Sequence, residues 1–347
     1  MSVYQQAFGL SVDPFTMTPD PDLLFLTEQH REALAGLAYA ILGRKGFAVF
    51  TGPAGTGKTT VVRRFLRSVE AAGVQSSVIL NPTLTPAEFL EMALIAFGIA
   101  EVPAGKTQRI CLLERFLLEC QAKGNAAALI IDEAHKLSPE VLEEIRLLSN
   151  FELCDQKLLQ IVLVGQSELR ALLNRHDLQQ LKQRIALQFS IVPLSAAEVE
   201  PYLQYRWLKA GGGNALPFRP EAIQLIARAS CGIPRVMNAI SDNALLQAFA
   251  GGAAVVAEEP VRAACRDLDL FLDPPPPSAA APPVAPPAAA KIPAVGDEHS
   301  LARALQANTP AAPANGYLLP LRTLAAYDPA RRPSWWARWM GRKVPAY

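Results

Sequence analysis

Residues 52–60 read GPAGTGKTT, and the spacing Gly52-x4-Gly57-Lys58-Thr59 follows directly on the apolar run FAVFT at 47–51. These residue types in this order suit a phosphate chain. Gly52, Gly55 and Gly57, with Pro53, Ala54 and Thr56 between them, let main-chain N–H groups close around α- and β-phosphates. Lys58 has the reach for the β/γ-phosphates, the Thr59 hydroxyl is a ligand for Mg2+, and Thr60 carries the loop into a helix. The predicted chemistry is capture of a nucleoside triphosphate, ATP with Mg2+. A flexible glycine turn is the competing reading. The strand-like run before the loop and the amphipathic stretch TTVVRRFLRSVEAAG (59–73) after it disfavour that alternative.

A second segment bears on what happens to the nucleotide. AALIIDEAHKL (127–137) is a short apolar run that ends in two carboxylates, Asp132 and Glu133. In a P-loop fold the first carboxylate after such a strand organises the Mg2+ shell opposite the loop, alongside Thr59. Glu133 is then placed to orient and deprotonate a water, which is general-base work. Most Asp-Glu pairs are solvated surface charges. Here the pair closes a strand downstream of a phosphate loop, so hydrolysis is the expectation.

The elements that must position these residues alternate in type. Apolar runs at 47–51, 76–82, 127–132, 158–165 and 185–194 read as strands. Between them lie helical stretches after the loop, from Thr85, over 106–123 and from Ser138 to Asn150. Ser138-Pro139-Glu140 is a capped helix start with proline at the first helical position. The expected fold is α/β: a P-loop NTPase with a parallel sheet sandwiched by helices. From Ser195 to Asp273 the pattern is helical throughout, which fits a small lid domain. The expected units are therefore 1–194, the nucleotide-binding α/β domain, and 195–273, the helical lid. A Pro/Ala-rich linker at 274–297 and a mostly disordered tail at 298–347 follow.

Composition sets the surroundings. The 347-residue chain carries a net charge of +1, so no global field announces nucleic acid or membrane. Its five cysteines include no C-x-x-C pair and are odd in number, which reads as reduced thiols in a cytosolic compartment. His30, His135, His176 and His299 are scattered, without metal-ligand spacing. No apolar run reaches about eighteen residues, and residues 1–10 lack the basic and apolar regions of a secretory signal. The expected location is cytoplasmic, with peripheral contact at the inner membrane left open by the tail.

The chain resembles the AAA+ ATPases of the general secretion pathway protein A type (ExeA-like), and the similar ATPases found beside exosortase and exopolysaccharide loci. The resemblance spans about residues 4–270. It rests on YQQAFGLSVDPF (4–15), TPDPDLLFLTEQHREALAGLAYAI (18–41), the phosphate loop, IIDEAHKL and VGQSELRALL (164–173). It extends to LKQRI (181–185), PLSAAEVEPYLQYR (193–206) and GIPRVMN (232–238). The segment ahead of the loop is its distinctive part. The resemblance implies that Gln166, at the end of the fourth strand, senses the γ-phosphate. It implies that Arg184 is presented to a neighbouring subunit's nucleotide and that Arg235 is a lid arginine on phosphate. Secretion-type members usually continue into a membrane span and a periplasmic peptidoglycan-binding domain. This sequence shows neither, so the shorter, wholly cytosolic relatives are the expected comparison.

Each of these residues has a plainer alternative. Arg184 in QLKQRIAL fits a solvated helix-end charge, and Gln166 fits a strand-end cap. Arg235 opens a helix after a Gly-Ile-Pro turn, a poor place for a cation unless an anion binds there. His30 and Arg31 lie ahead of the loop, where adenine packs in related ATPases, or form a solvated surface pair. In the tail, Trp335, Trp336 and Trp339 stand among Arg322, Arg331, Arg332, Arg338, Arg342 and Lys343. That cluster suits a membrane interface, a partner groove or single-stranded nucleic acid, against a merely disordered end. The expected role is an ATP-hydrolysing oligomer, a ring of self-copies, that serves a secretion or polysaccharide-export machine. The alternative is a DNA-associated regulator of the transposition-ATPase type. Near-neutral charge disfavours nucleic acid as a partner.

Overall fold

The computed structural model describes residues 3–270 apart from 81–82 and 154–155, with the side chain of residue 71 also outside the description. The expected linker and tail lie outside the described residues. The α/β part runs α1 (Glu28–Leu42), β1 (Phe47–Thr51), α2 (Lys58–Val69), β2 (Gln75–Ile79), α3 (Pro86–Ala96), α4 (Lys106–Ala122) and β3 (Ala127–Ile131). It continues through α5 (Pro139–Leu148), the strands β4 (Glu152–Leu153) and β5 (Gln156–Lys157), then β6 (Leu159–Gly165), α6 (Glu168–Leu173), α7 (Gln179–Lys182) and β7 (Leu187–Ser190). Helices α8 (Ala196–Lys209), α9 (Pro220–Ser230), α10 (Pro234–Ala250) and α11 (Glu258–Asp267) complete it.

The main sheet is parallel, in the order β2-β3-β6-β1-β7. Strands β1, β3 and β6 are buried at every residue, as nearly continuous apolar runs demand when helices cover both faces. Their side chains divide by the strand's period of two. Phe47, Val49, Leu129 and Ile161 face a core with α3, α4 and α5. Ala48, Phe50, Ile130 and Val162 face α1 and α2, where Val61, Val62, Phe65, Leu66 and Val69 form one stripe. Thr85 and Ser138 cap α3 and α5, each followed by proline at the first helical turn.

The structure departs from the sequence expectation in three places. The last strand is only Leu187–Ser190, because after Ile191, still bonded to the Thr51 carbonyl, the exposed Val192 leaves the sheet and Leu194 enters the helical core. A polar two-stranded antiparallel ribbon, β4 with β5, stands apart from the main sheet and has no apolar alternation to announce it. The third concerns the N-terminal segment, expected within the 1–194 unit, which packs on the helical layer. Tyr4 and Phe15 are buried in the helical core with Val199, Tyr202, Leu203 and Trp207. Phe15 packs edge-on to Phe218, and Phe8 edge-on to Trp207. Residues from Tyr4 to Phe15 thus lie against the helical layer, and the chain crosses to the sheet before β1.

Polar ties fix that crossing. The buried Arg206 guanidinium donates to the carbonyls of Pro14 at 2.6 Å, Leu23 at 3.4 Å and Thr16 at 3.4 Å. Asn238 donates to the Thr16 carbonyl at 3.3 Å and accepts from the Tyr202 hydroxyl at 2.6 Å. Backbone carbonyls of a non-helical segment, taken out of water, are satisfied by side chains of α8 and α10. Phe15→Ala should therefore destabilise the chain by about 3–5 kcal/mol, the cost of emptying a buried aromatic site. Urea unfolding followed by circular dichroism measures this. A loss under about 1 kcal/mol would show that the segment does not share the core.

Candidate nucleotide-binding site

The C-terminal ends of three adjacent strands build one edge of the site. Thr51 of β1 lies opposite Gly165 of β6, and Ile131 of β3 lies opposite Leu163. The loop at 52–57, Gln166 and the Asp132–Glu133 pair therefore leave the sheet side by side. Gly57 caps α2 in the left-handed region (φ 95°), and Lys58 opens the helix, so the helix's first N–H groups face the loop. Gly55 is left-handed too (φ 78°). A Cβ there would stand 2.8 Å from Cβ of Arg235 and 2.9 Å from Cγ2 of Ile233.

That close approach docks the helical layer on the loop. The Arg235 N–H donates to the Gly55 carbonyl at 3.2 Å, while the Arg235 side chain is exposed and lines the cavity. The Lys58 ammonium is buried and donates to the Gly52 and Pro53 carbonyls at 2.9 and 2.8 Å. Burial lowers the Lys58 pKa, and the nearby Asp132, Glu133 and Glu168 carboxylates oppose that shift. The Thr59 hydroxyl donates to Asp132 Oδ2 at 2.6 Å, and the Glu133 N–H donates to Oδ1 at 2.8 Å. A hydroxyl and a carboxylate this close, beside N–H groups at a helix start, form an all-oxygen donor set of the kind Mg2+ takes.

Glu133 adopts φ 55°, an uncommon conformation for a residue with a side chain, at a strain of about 1–3 kcal/mol. Its carboxylate lies 3.2 Å from the Lys136 ammonium and lines the cavity. The cavity measures about 290 Å³ and also takes in Ala54, Gly55, Thr56, Gly57, Thr60 and Gln166. Arg184 does not reach it. Its guanidinium donates to Ser149 at the end of α5, 3.2 Å away, on a different part of the surface.

Residues 41–173 match the family model described as an AAA domain. Over 251 residues the chain is 41% identical to general secretion pathway protein A of Aeromonas hydrophila, a match that covers 72% of this chain and 46% of that protein. Residues 41–173 thus carry an AAA domain, and the chain is related to general secretion pathway protein A. It spans about half the length of that relative. It is also 28% identical over 264 residues to ATP-dependent target DNA activator B of Escherichia phage D108, covering 74% of this chain and 76% of that one. The solved ORC2 protein of Aeropyrum pernix, in ADPNP–ADP complexes, superposes with a TM-score of 0.58 at 18% identity, over 73% of this chain and 71% of that one. That likeness shows the fold, a P-loop AAA-type sheet with flanking helices.

The AAA domain's cavity has a second wall that motif reading missed. Thr16 to Asp20, Leu24 and Phe25 come from the N-terminal crossing, and Tyr202, Arg206 and Asn238 from the helical layer. The signal available in the sequence was the cluster of prolines and threonines at 14–21, which marks a non-helical strap with free carbonyls.

His30 is buried, whereas the neighbouring Arg31 is exposed, so the two do not form a solvated pair. The His30 Nδ1 lies 2.6 Å from the Thr27 hydroxyl, and the ring hydrogen-bonds the Thr56 backbone in the phosphate loop. Burial pushes its pKa below the usual 6.5, outweighing the Thr56 bond and the attraction of Glu198. The unfolded chain therefore takes up the proton first as pH falls below about 6.5, and stability declines from there down to the folded pKa. His30→Gln should lose less melting temperature than the parent between neutral pH and about pH 5.5. Equal losses would show that His30 does not titrate with unfolding.

Proposed function

We propose that this protein binds ATP with Mg2+ in the cavity between the phosphate loop and the helical layer and hydrolyses it. The observation that carries the reading is the 2.6 Å contact between Thr59 and Asp132, with Glu133 and Gln166 on the same cavity. Mg2+ held there would neutralise developing charge on the phosphate oxygens. Main-chain N–H groups of 52–60 bind the phosphates, and Lys58 leaves the loop carbonyls to pair with them. Glu133 takes a proton from the attacking water, and the Gln166 amide orients groups at the γ-phosphate position. Arg235, at the start of the docked helix α10, contributes positive charge from the lid side.

Arg184 acts on a neighbouring copy of the chain, which makes the working form a homo-oligomer, a ring. Its absence from the lining of its own cavity, with the guanidinium on Ser149, supports that role. The resemblance to general secretion pathway protein A supports service to an envelope secretion or exopolysaccharide-export machine. In this reading the protein is cytoplasmic and makes peripheral contact with the inner membrane through the Trp- and Arg-bearing tail. Among the described residues no helix is long and apolar enough to cross a membrane. The similarity to the phage target DNA activator favours a second reading, a DNA-associated regulator of the transposition-ATPase type.

One set of assays tests both. Lys58→Ala should weaken nucleotide affinity about 10- to 100-fold, the worth of its charge-assisted hydrogen bonds. Glu133→Gln should keep its affinity while phosphate release falls by roughly 10²–10⁴. An unchanged rate in Glu133→Gln removes that carboxylate from the mechanism. Wild-type turnover that rises on adding duplex DNA would favour the DNA-associated reading over the export one.

A further inference from the structure

The turn at Ala134–Lys136 is clamped to the end of β6. A Cβ on Gly165 would stand 3.2 Å from the His135 backbone nitrogen and 2.9 Å from Cδ2 of Leu169, so the missing side chain eases the close approach of the two segments. The clamp has a polar component. The main-chain N–H of Gln166 donates to Nδ1 of His135 at 3.3 Å. An acceptor at Nδ1 puts the ring proton on Nε2 in the neutral imidazole. Nε2 lies 3.7 Å from Oε2 of Glu133. The imidazole, which is largely buried, therefore stands between the strand end that carries Gln166 and the carboxylate two residues before it. The same Oε2 is held on its open side by the exposed Lys136 ammonium at 3.2 Å.

We propose that His135 is a positioning residue that couples the end of β6 to Glu133, so that the carboxylate reaches hydrolytic geometry only when Gln166 is in place. The proposal rests on the hydrolytic reading above and adds a named path for it. Glu133 sits at the uncommon φ 55°, and the Nε2–H, 3.7 Å away and just beyond hydrogen-bond length, is placed to meet its carboxylate on a small side-chain shift. His135 touches neither the loop nor Asp132 through any described hydrogen bond, so it acts on Glu133 and not on nucleotide capture.

The test uses the full chain with Mg-ATP and compares nucleotide Kd, kcat and melting temperature. His135→Ala should lower kcat about 10- to 100-fold with Kd unchanged, the scale of a misplaced catalytic group. In a Glu133→Gln background the same substitution should change single-turnover phosphate release by less than about twofold, because residues that act as a unit are not additive. His135→Gln, which puts an amide N–H near the Nε2 position, should recover part of the lost kcat. It also carries the comparison if the alanine variant does not fold. A normal kcat in His135→Ala, or an equal loss in both backgrounds, overturns the coupling. So does a kcat in His135→Gln as low as in His135→Ala. A wild-type chain that releases no phosphate would instead overturn the hydrolytic reading itself.

Discussion

The position of β6 between β1 and β3 is the constraint on which the site depends. Adjacent strands lie about 4.8 Å apart, so one inserted strand separates the phosphate loop from the carboxylates by about 10 Å at the backbone. Side chains close that gap from both sides, and Thr59 and Asp132 meet across it at 2.6 Å. The inserted strand also delivers Gln166 between them. The full burial of β1, β3 and β6 makes that order rigid, since a one-residue slip would turn each strand's side chains toward the wrong face.

The second wall depends on a different kind of interaction. The N-terminal strap pairs with no strand, and its one short 3-10 turn, Pro21–Leu23, ties up only the Asp20 carbonyl. A buried arginine and an asparagine from distant helices satisfy the carbonyls of Pro14, Thr16 and Leu23. The same helical layer rests on the phosphate loop through the Arg235 N–H and the Gly55 carbonyl. Contents of the loop and posture of the helices are thus linked by direct contact. A change at the phosphates has a short path to the strap, to α10 and to any surface those helices present.

The sequence made one half of this site legible and left the other half obscure. Mostly apolar runs at 47–51, 127–132 and 158–165, broken within the last only by Gln160, announced buried parallel strands, and the chemistry-bearing residues sit at their ends or directly after them. The helix starts at Thr85 and Ser138 were readable from cap and proline. Arg206 and Asn238 were not, because each looks like an ordinary polar residue on an amphipathic helix, and their carbonyl partners lie far away in the chain. The destination of Tyr4 and Phe15 was hidden for the same reason, since an apolar pattern names a buried face but not what covers it. The β4–β5 ribbon consists of two-residue polar strands and offers no period at all. His135 reads as one of four scattered histidines until folding brings Gln166 to its ring.

Because Thr59 and Asp132 are the contact that closes the site, metal dependence is its most direct test. The measurement is ATP affinity with and without Mg2+ for the parent chain and for Asp132→Asn, which keeps shape and loses charge. The account predicts that Mg2+ tightens ATP binding in the parent, and that Asp132→Asn loses most of that gain while metal-free affinity stays the same. An equal gain from Mg2+ in both proteins would contradict it.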